Sequence, residues 1–208
     1  MKPTNEKLAA DLLEAGKREF LAHGFQGASL RNIAGALNVT TGAIYRYYAD
    51  KEALFDALVE APAKELEERY RKAQQGFAAL PVREQLSGLP ELSRNGQNWI
   101  FDYIYDHFDA FRLIACCSAG TTYEHYIDVL VEIETNSGRV LLDRMEEEGL
   151  PVRRIDDDLI HILADALFSG IFETVRHSMP RDRAARYFDS LREFYAAGWF
   201  RLLGISQR

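Results

Sequence analysis

The 208-residue chain carries 25 Lys and Arg against 32 Asp and Glu, a formal net charge of −7, and 47% of its residues are hydrophobic. A helix needs about 20 consecutive apolar residues to span a bilayer, and no run here approaches that. The N-terminus has no apolar signal segment either, so a soluble, cytoplasmic protein without a membrane partner is expected. The acidic total argues against a nucleic-acid partner, because phosphate neutralisation dominates such binding, unless the charge is unevenly spread. It is uneven: residues 1–58 hold seven cations and seven acids, the remaining 150 carry the whole −7, and residues 29–51 hold three cations (Arg31, Arg46, Lys51) and one acid (Asp50).

The first helix is expected from about Thr4 to His23, with Leu8, Leu12, Leu13, Gly16 and Phe20 on one face, and the glycines of "HGFQGAS" stop it. Ser29 offers a side-chain oxygen to the open N–H groups of a short second helix, "LRNIAGAL". Asn38 tolerates a left-handed exit from it. Thr40 is positioned to cap a third helix, Thr41 to Tyr48, and Asp50 to cap a fourth that runs to about Gln75, with Pro62 as a candidate kink. Residues 76–90, with Gly76, Pro81, Gly88 and Pro90, read as an irregular connection. Helices are then expected from Glu91 to Phe108, Ala110 to Cys117, Tyr123 to Glu148, Asp156 to His177 and Pro180 to Gly204. Apolar spacing of three and four dominates and no strand pattern is present, so the fold class is all-α.

A short helix, a tight turn and a second short helix form a helix-turn-helix, whose second helix enters the DNA major groove. Ile33, Ala34, Leu37, Val39 and Ile44 supply its apolar inner side, and Ala34 must be small where the third helix crosses. Thr41, Gly42, Ala43, Arg46 and Tyr47 remain outward, with Tyr45 and Lys51 at the edges. These types suit a polyanion: tyrosine hydroxyls and lysine reach phosphates, arginine forks onto guanine, and Gly42 and Ala43 let bases approach. A surface hairpin that never meets DNA has the same spacing, and a helical binding or scaffold protein is the alternative from another class.

The run "SLRNIAGALNVTTGAIYRYYADKEALFDALVE", with "LLEAGKREFLAHGFQGAS" before it, closely resembles the DNA-binding domain of the TetR family of bacterial transcriptional repressors. The resemblance covers about the first 60 residues and implies a helix-turn-helix domain at residues 1–52 and a helical ligand-binding and dimerisation domain at 53–208. It implies that Thr41, Gly42 and Arg46 face bases of double-stranded operator DNA, and that Ser29, Thr40, Tyr45, Tyr47 and Lys51 hold phosphates, with Arg31 in the same interface. Many members have histidine then phenylalanine where this chain has Tyr47 and Tyr48, and tyrosine still reaches phosphate.

In the second module the helix at 156–177 is apolar almost all round, and the last helix adds Tyr187, Phe188, Leu191, Phe194, Tyr195, Trp199 and Leu202, with Gly198 for close approach. Two such broad-faced helices suit a four-helix homodimer interface, or else simply complete a monomer core. Trp99, Tyr103, Phe108, Tyr123 and Phe168 are candidates for an apolar pocket taking a small-molecule inducer; aromatic residues at helical spacing also serve as plain core. The acidity of the module weakly favours a cationic inducer, or else is simply a solvated face. No cofactor is expected. The adjacent Cys116 and Cys117 do not suit an ordinary disulfide and lack the partners of a zinc site. A thiol nucleophile beside His107 or His125 has no third orienting group, so an enzyme is not expected.

Overall fold

The computed structural model describes residues 5–86 and 98–204, and every regular element among them is helical. The helices are α1 (Asn5–Gly27), α2 (Leu30–Ala36), α3 (Thr41–Ile44), α4 (Lys51–Ala78), α5 (Asn98–Asp106), α6 (Phe108–Cys117), α7 (Tyr126–Glu147), α8 (Asp157–Arg176) and α9 (Arg181–Leu203). The expected helix starts at Thr4 and Glu91, and Gly88 and Pro90 of the expected connection, lie outside the described residues.

Most helix ends follow from local chemistry. Gly24 breaks the regular geometry of α1 at φ 66°, a left-handed conformation that costs glycine nothing. The Ser29 hydroxyl accepts from the Arg31 N–H at 3.2 Å and Asp156 accepts from the Asp158 N–H at 2.9 Å. Asp50 accepts from the Ala53 N–H at 2.8 Å. Gly149 and Gly204 close α7 and α9 at φ 66° and 73°, the left-handed exits typical of helix C-termini. Several expectations change. The third helix, expected to run to Tyr48, ends at Ile44 and residues 45–47 form turns. Thr40 makes no side-chain cap bond. The helix α4 runs through Pro62 without interruption to Ala78. The expected irregular stretch therefore begins later than residue 76, and residues 82–86 are again helical.

The described chain forms two compact units, and their boundary differs from the 52/53 division expected from sequence. The first comprises residues 1–65 and 107–126; the second comprises 66–106 and 127–208. In the first, Phe20, Phe25 and Phe55 form an aromatic cluster with ring centroids 5.2–6.0 Å apart. A Cβ on Gly16 would lie 3.1 Å from the Leu54 side chain, so α1 and α4 pack closely there. The helix α6 packs on α1, and the Lys17 ammonium donates to Asp109 at 2.8 Å. Tyr126 donates to the Ala63 carbonyl at 2.7 Å.

In the second unit Phe101 packs against Phe188 with tilted rings and centroids 5.4 Å apart, and Arg181 at the start of α9 forks onto Asp102 and Asp106 of α5. A Cβ on Gly170 would meet Leu191 at 3.2 Å, and one on Gly138 would meet Ile160 at 3.0 Å. These two glycines set the close approaches of α8 within the second unit; nothing of this chain lies within 4 Å of a Cβ built on Gly198. Leu159, Ile162, Tyr187 and Phe194 are exposed, the last at 71%, which leaves apolar surface on both α8 and α9 uncovered. None of the helices among the described residues is long and apolar enough to cross a membrane.

Candidate nucleic-acid interface and ligand cavity

The turn between α2 and α3 is built by backbone bonds. The Ala34 carbonyl accepts from the N–H of Leu37 at 3.2 Å and of Val39 at 3.0 Å. Asn38 between them sits at φ 54°, the conformation that asparagine adopts more readily than most residues. Ile33, Ala34 and Ile44 are buried beneath it. The α2 start is fixed from α1: Glu19 accepts from the Ser29 N–H at 3.0 Å and from the Asn32 side chain at 2.9 Å. Sequence reasoning missed Glu19, whose signal is a carboxylate on α1 where the helix approaches open N–H groups of the next one.

With the inner side buried, Arg31, Thr40, Gly42, Tyr45 and Arg46 are exposed, and Ser29, Thr41 and Tyr47 are half-buried. Tyr45 keeps 56% of its surface in solvent. Tyr47 stands beside Tyr48 with centroids 6.5 Å apart, and burial pushes the Tyr48 hydroxyl upward. A Cβ on Gly42 would meet only the Thr40 hydroxyl at 3.7 Å. The fold therefore leaves open space at Gly42.

Lys51 is placed differently from its expected phosphate role. Its ammonium donates to the carbonyls of Phe25, Gln26 and Ala28 at 2.6, 3.3 and 3.1 Å, and lies 4.5 Å from the Phe25 ring centroid. An ammonium has three donors, and all three are taken by carbonyls at the C-terminal end of α1 and just after it. Lys51→Met should therefore lower unfolding stability by roughly 1.5–3 kcal/mol, the worth of hydrogen bonds to a charged group. The salt dependence of DNA binding should stay unchanged. Urea unfolding and a salt titration check both; unchanged stability with a slope lowered by about one unit would restore the phosphate role.

The five aromatic pocket candidates are divided between the two units. Phe108 and Tyr123 belong to the first unit, where the Tyr123 hydroxyl donates to Asp56. Burial, with the bond to Asp56 and the nearby Glu60 and Glu52 adding to it, raises the tyrosine's pKa well above its ordinary value. Trp99, Tyr103 and Phe168 belong to the second unit. There a cavity of about 200 Å³ is lined by Trp99 but by neither Tyr103 nor Phe168. Phe168 lies behind it, edge-on to Tyr70 with centroids 5.5 Å apart. Arg69 lies over the Trp99 and Tyr103 rings, 4.6 and 5.3 Å from their centroids.

The cavity walls are mostly apolar, with Phe77, Leu141, Ile160, Trp199 and Leu203 among them. One polar cluster interrupts them. Tyr70 donates to Glu134 Oε2, the Gln74 amide donates to the same oxygen at 2.6 Å, and Ser137 donates to Gln74 Oε1 at 2.7 Å. Burial raises the Glu134 carboxyl, opposed by the Tyr70 bond. Burial and the neighbouring carboxylate push the Tyr70 hydroxyl far upward. Sequence reasoning missed all four residues. Their signal is legible in retrospect: Glu134, Ser137 and Gly138 interrupt the apolar stripe of Leu130, Leu141 and Met145 at helical spacing.

The cysteines separate in character. Cys116 is exposed and Cys117 buried, and burial, with Cys116 adding and Arg112 opposing, raises the Cys117 thiol above its usual value. Since the thiolate is the reactive form, Cys117 should alkylate more slowly than Cys116 at neutral pH. Mass spectrometry of a timed iodoacetamide reaction checks the order, and faster labelling of Cys117 would contradict it.

A helix-turn-helix over a buried inner face, at the head of a chain whose described elements are all helical, is the arrangement of DNA-binding regulators. Residues 12–58 match the family described as bacterial regulatory proteins, tetR family. The HTH-type transcriptional repressor AcnR of Corynebacterium diphtheriae is 36% identical over 186 residues, 88% of this chain and 88% of that one. The chain belongs to the TetR family. The probable acrEF/envCD operon repressor of Escherichia coli K12 is 27% identical over 175 residues, 80% of this chain and 75% of its own. For the AcnR repressor of Corynebacterium glutamicum the match, 39% identical, spans 67 residues, 35% of that protein and 32% of this chain. A TetR-like transcriptional regulator from Rhodococcus sp. RHA1 shares the fold at a TM-score of 0.55 and 20% identity, over 95% of this chain and all of that one.

Proposed function

We propose that this protein is a cytoplasmic, homodimeric repressor that binds double-stranded operator DNA through α3 and leaves it when a small molecule fills the cavity of the second unit. The observation that carries the reading is the face of α3 and the turn after it. Gly42, Tyr45 and Arg46 are all exposed, while the inner residues that hold the turn are buried. In this reading Thr41, Gly42 and Arg46 meet base edges, and Ser29, Arg31, Thr40, Tyr45 and Tyr47 meet phosphates.

The exposed apolar residues of α8 and α9 support dimerisation. Leu159 and Ile162 are three apart, and Tyr187, Phe194 and Gly198 recur on one side of α9. A two-fold partner covers such stripes with copies of themselves, and places two recognition helices one DNA turn, about 34 Å, apart. The helix α4 contributes residues to both units, and we assign it the transmission of ligand binding to the DNA-binding unit. Reciprocity then requires operator DNA to weaken the ligand by the same factor, typically about 1–3 kcal/mol in allosteric proteins.

An electrophoretic shift with the full-length protein on the DNA flanking its own gene tests the reading. A complex that survives moderate salt and excess random DNA, and dissociates when an inducing compound is added, is expected. Equal affinity for flanking and random DNA would remove the operator reading and leave a helical binding protein of the same fold.

A further inference from the structure

The geometry of the cavity points to the chemistry of its occupant: we propose that it takes a hydrophobic organic ammonium, whose N–H groups donate to Glu134 Oε1 while its apolar body lies against Trp99 and Trp199. This rests on the ligand-controlled reading above and adds the class of ligand.

Glu134 is held in place before any ligand arrives. Both of its hydrogen bonds, from Tyr70 and Gln74, converge on Oε2. Gln74 is fixed in turn, its amide also 3.0 Å from the Tyr70 hydroxyl and its carbonyl accepting from Ser137. The Tyr70 ring is braced by Phe168. Oε1 takes none of these bonds, in a wall that lines the cavity.

The donors around Glu134 are neutral. Among the described lining residues the single cation is Arg192, whose guanidinium already meets Asp189 at 3.1 Å. A carboxylate taken out of water without a counter-charge is costly. An incoming ammonium supplies that charge and a charge-assisted hydrogen bond, whereas an incoming carboxylate meets like charge. The raised Glu134 carboxyl agrees with an acid that lacks its cation. The remaining walls accept an apolar body: indole rings at two places, with Phe77, Leu141 and Leu167 between polar points.

Trp99 and Trp199 are the two tryptophans of the sequence, and both line the cavity, so intrinsic fluorescence of the full-length protein reports occupancy without a label. Three probes of equal shape separate charge from burial: 3-phenylpropylammonium, 3-phenylpropanol and 3-phenylpropanoate. The ammonium should bind about ten-fold more tightly than the alcohol, and the carboxylate most weakly. Glu134→Gln, which keeps the shape and an acceptor for Tyr70, should weaken the ammonium about ten-fold and leave the alcohol within about two-fold.

If the carboxylate binds most tightly, or if Glu134→Gln binds the ammonium as the wild type does, the cation assignment is overturned while ligand control of operator binding stands. If none of the three changes the fluorescence, the assignment of this cavity falls as well. If Glu134→Gln does not fold, the order of the three probes on the wild-type protein decides. The operator reading stands or falls separately, on the shift experiment.

Discussion

Replacing Gly42 by leucine should abolish operator binding while leaving the fold intact. The two effects separate because a side chain at Gly42 meets almost nothing of its own protein, the Thr40 hydroxyl at 3.7 Å being its nearest neighbour. Glycine inside a helix costs roughly 0.5–1 kcal/mol relative to alanine, so folding stability should hold or rise. On DNA the same side chain occupies the space through which α3 approaches the base edges. Arg46→Ala provides the graded version. Losing a bidentate base contact costs about 1–3 kcal/mol, on the order of ten- to a hundred-fold in operator affinity, with a much smaller loss on random DNA. Competition binding against both DNAs, with thermal unfolding of each variant, checks the pair. Full operator binding by Gly42→Leu would mean that α3 does not enter the groove.

Phe55→Ala should be the most damaging single change to stability. Phe55 is completely buried, with Phe20 and Phe25 edge-on to it at 5.2 and 5.6 Å and Tyr123 at 6.2 Å. Its ring joins α1, the start of α4 and the segment after α6 within the first unit. Truncating a buried phenylalanine costs about 3–5 kcal/mol, through lost transfer energy and the cavity left behind. Set against a total stability of roughly 5–15 kcal/mol, that leaves the first unit marginal. Urea unfolding should show the midpoint moving down by this amount, and operator binding should fail together with it. A change below about 1 kcal/mol would mean that the cluster is not the core of this unit.

The parts of this molecule that were legible in the sequence are those decided within a few residues. Ser29, Asn38, Asp50, Asp156 and Gly204 mark helix ends because capping and left-handed geometry are local properties, and the turn between α2 and α3 follows from them. Thr40 shows the limit even there, since its position suits a cap and its hydroxyl makes no such bond. Lys51 shows another. A lysine beside exposed tyrosines reads as a phosphate ligand, but the end of α1, some 25 residues earlier, presents three carbonyls to it, and no local pattern announces that.

The cavity was the least legible feature because its walls come from α4, α5, α7, α8 and α9. Density of aromatic residues between 99 and 126 suggested one pocket, yet the chain divides within that stretch: Trp99 and Tyr103 fall in one unit, Phe108 and Tyr123 in the other. Aromatic content measures apolar area and carries no information about which core receives it. The polar residues inside an apolar stripe, Glu134 and Ser137, are the better guide, because a carboxylate placed where it loses water needs a reason to be there.

The most direct test of operator recognition is selection of the full-length protein against a pool of random double-stranded DNA, followed by sequencing of the bound fraction. A two-fold dimer with one recognition helix per protomer should enrich an inverted repeat whose half-sites are centred about 10 base pairs, or a small multiple of one helical turn, apart, and Arg46→Ala should blur a position within each half. Recovery of DNA with no common sequence, at an affinity set by salt alone, would contradict it.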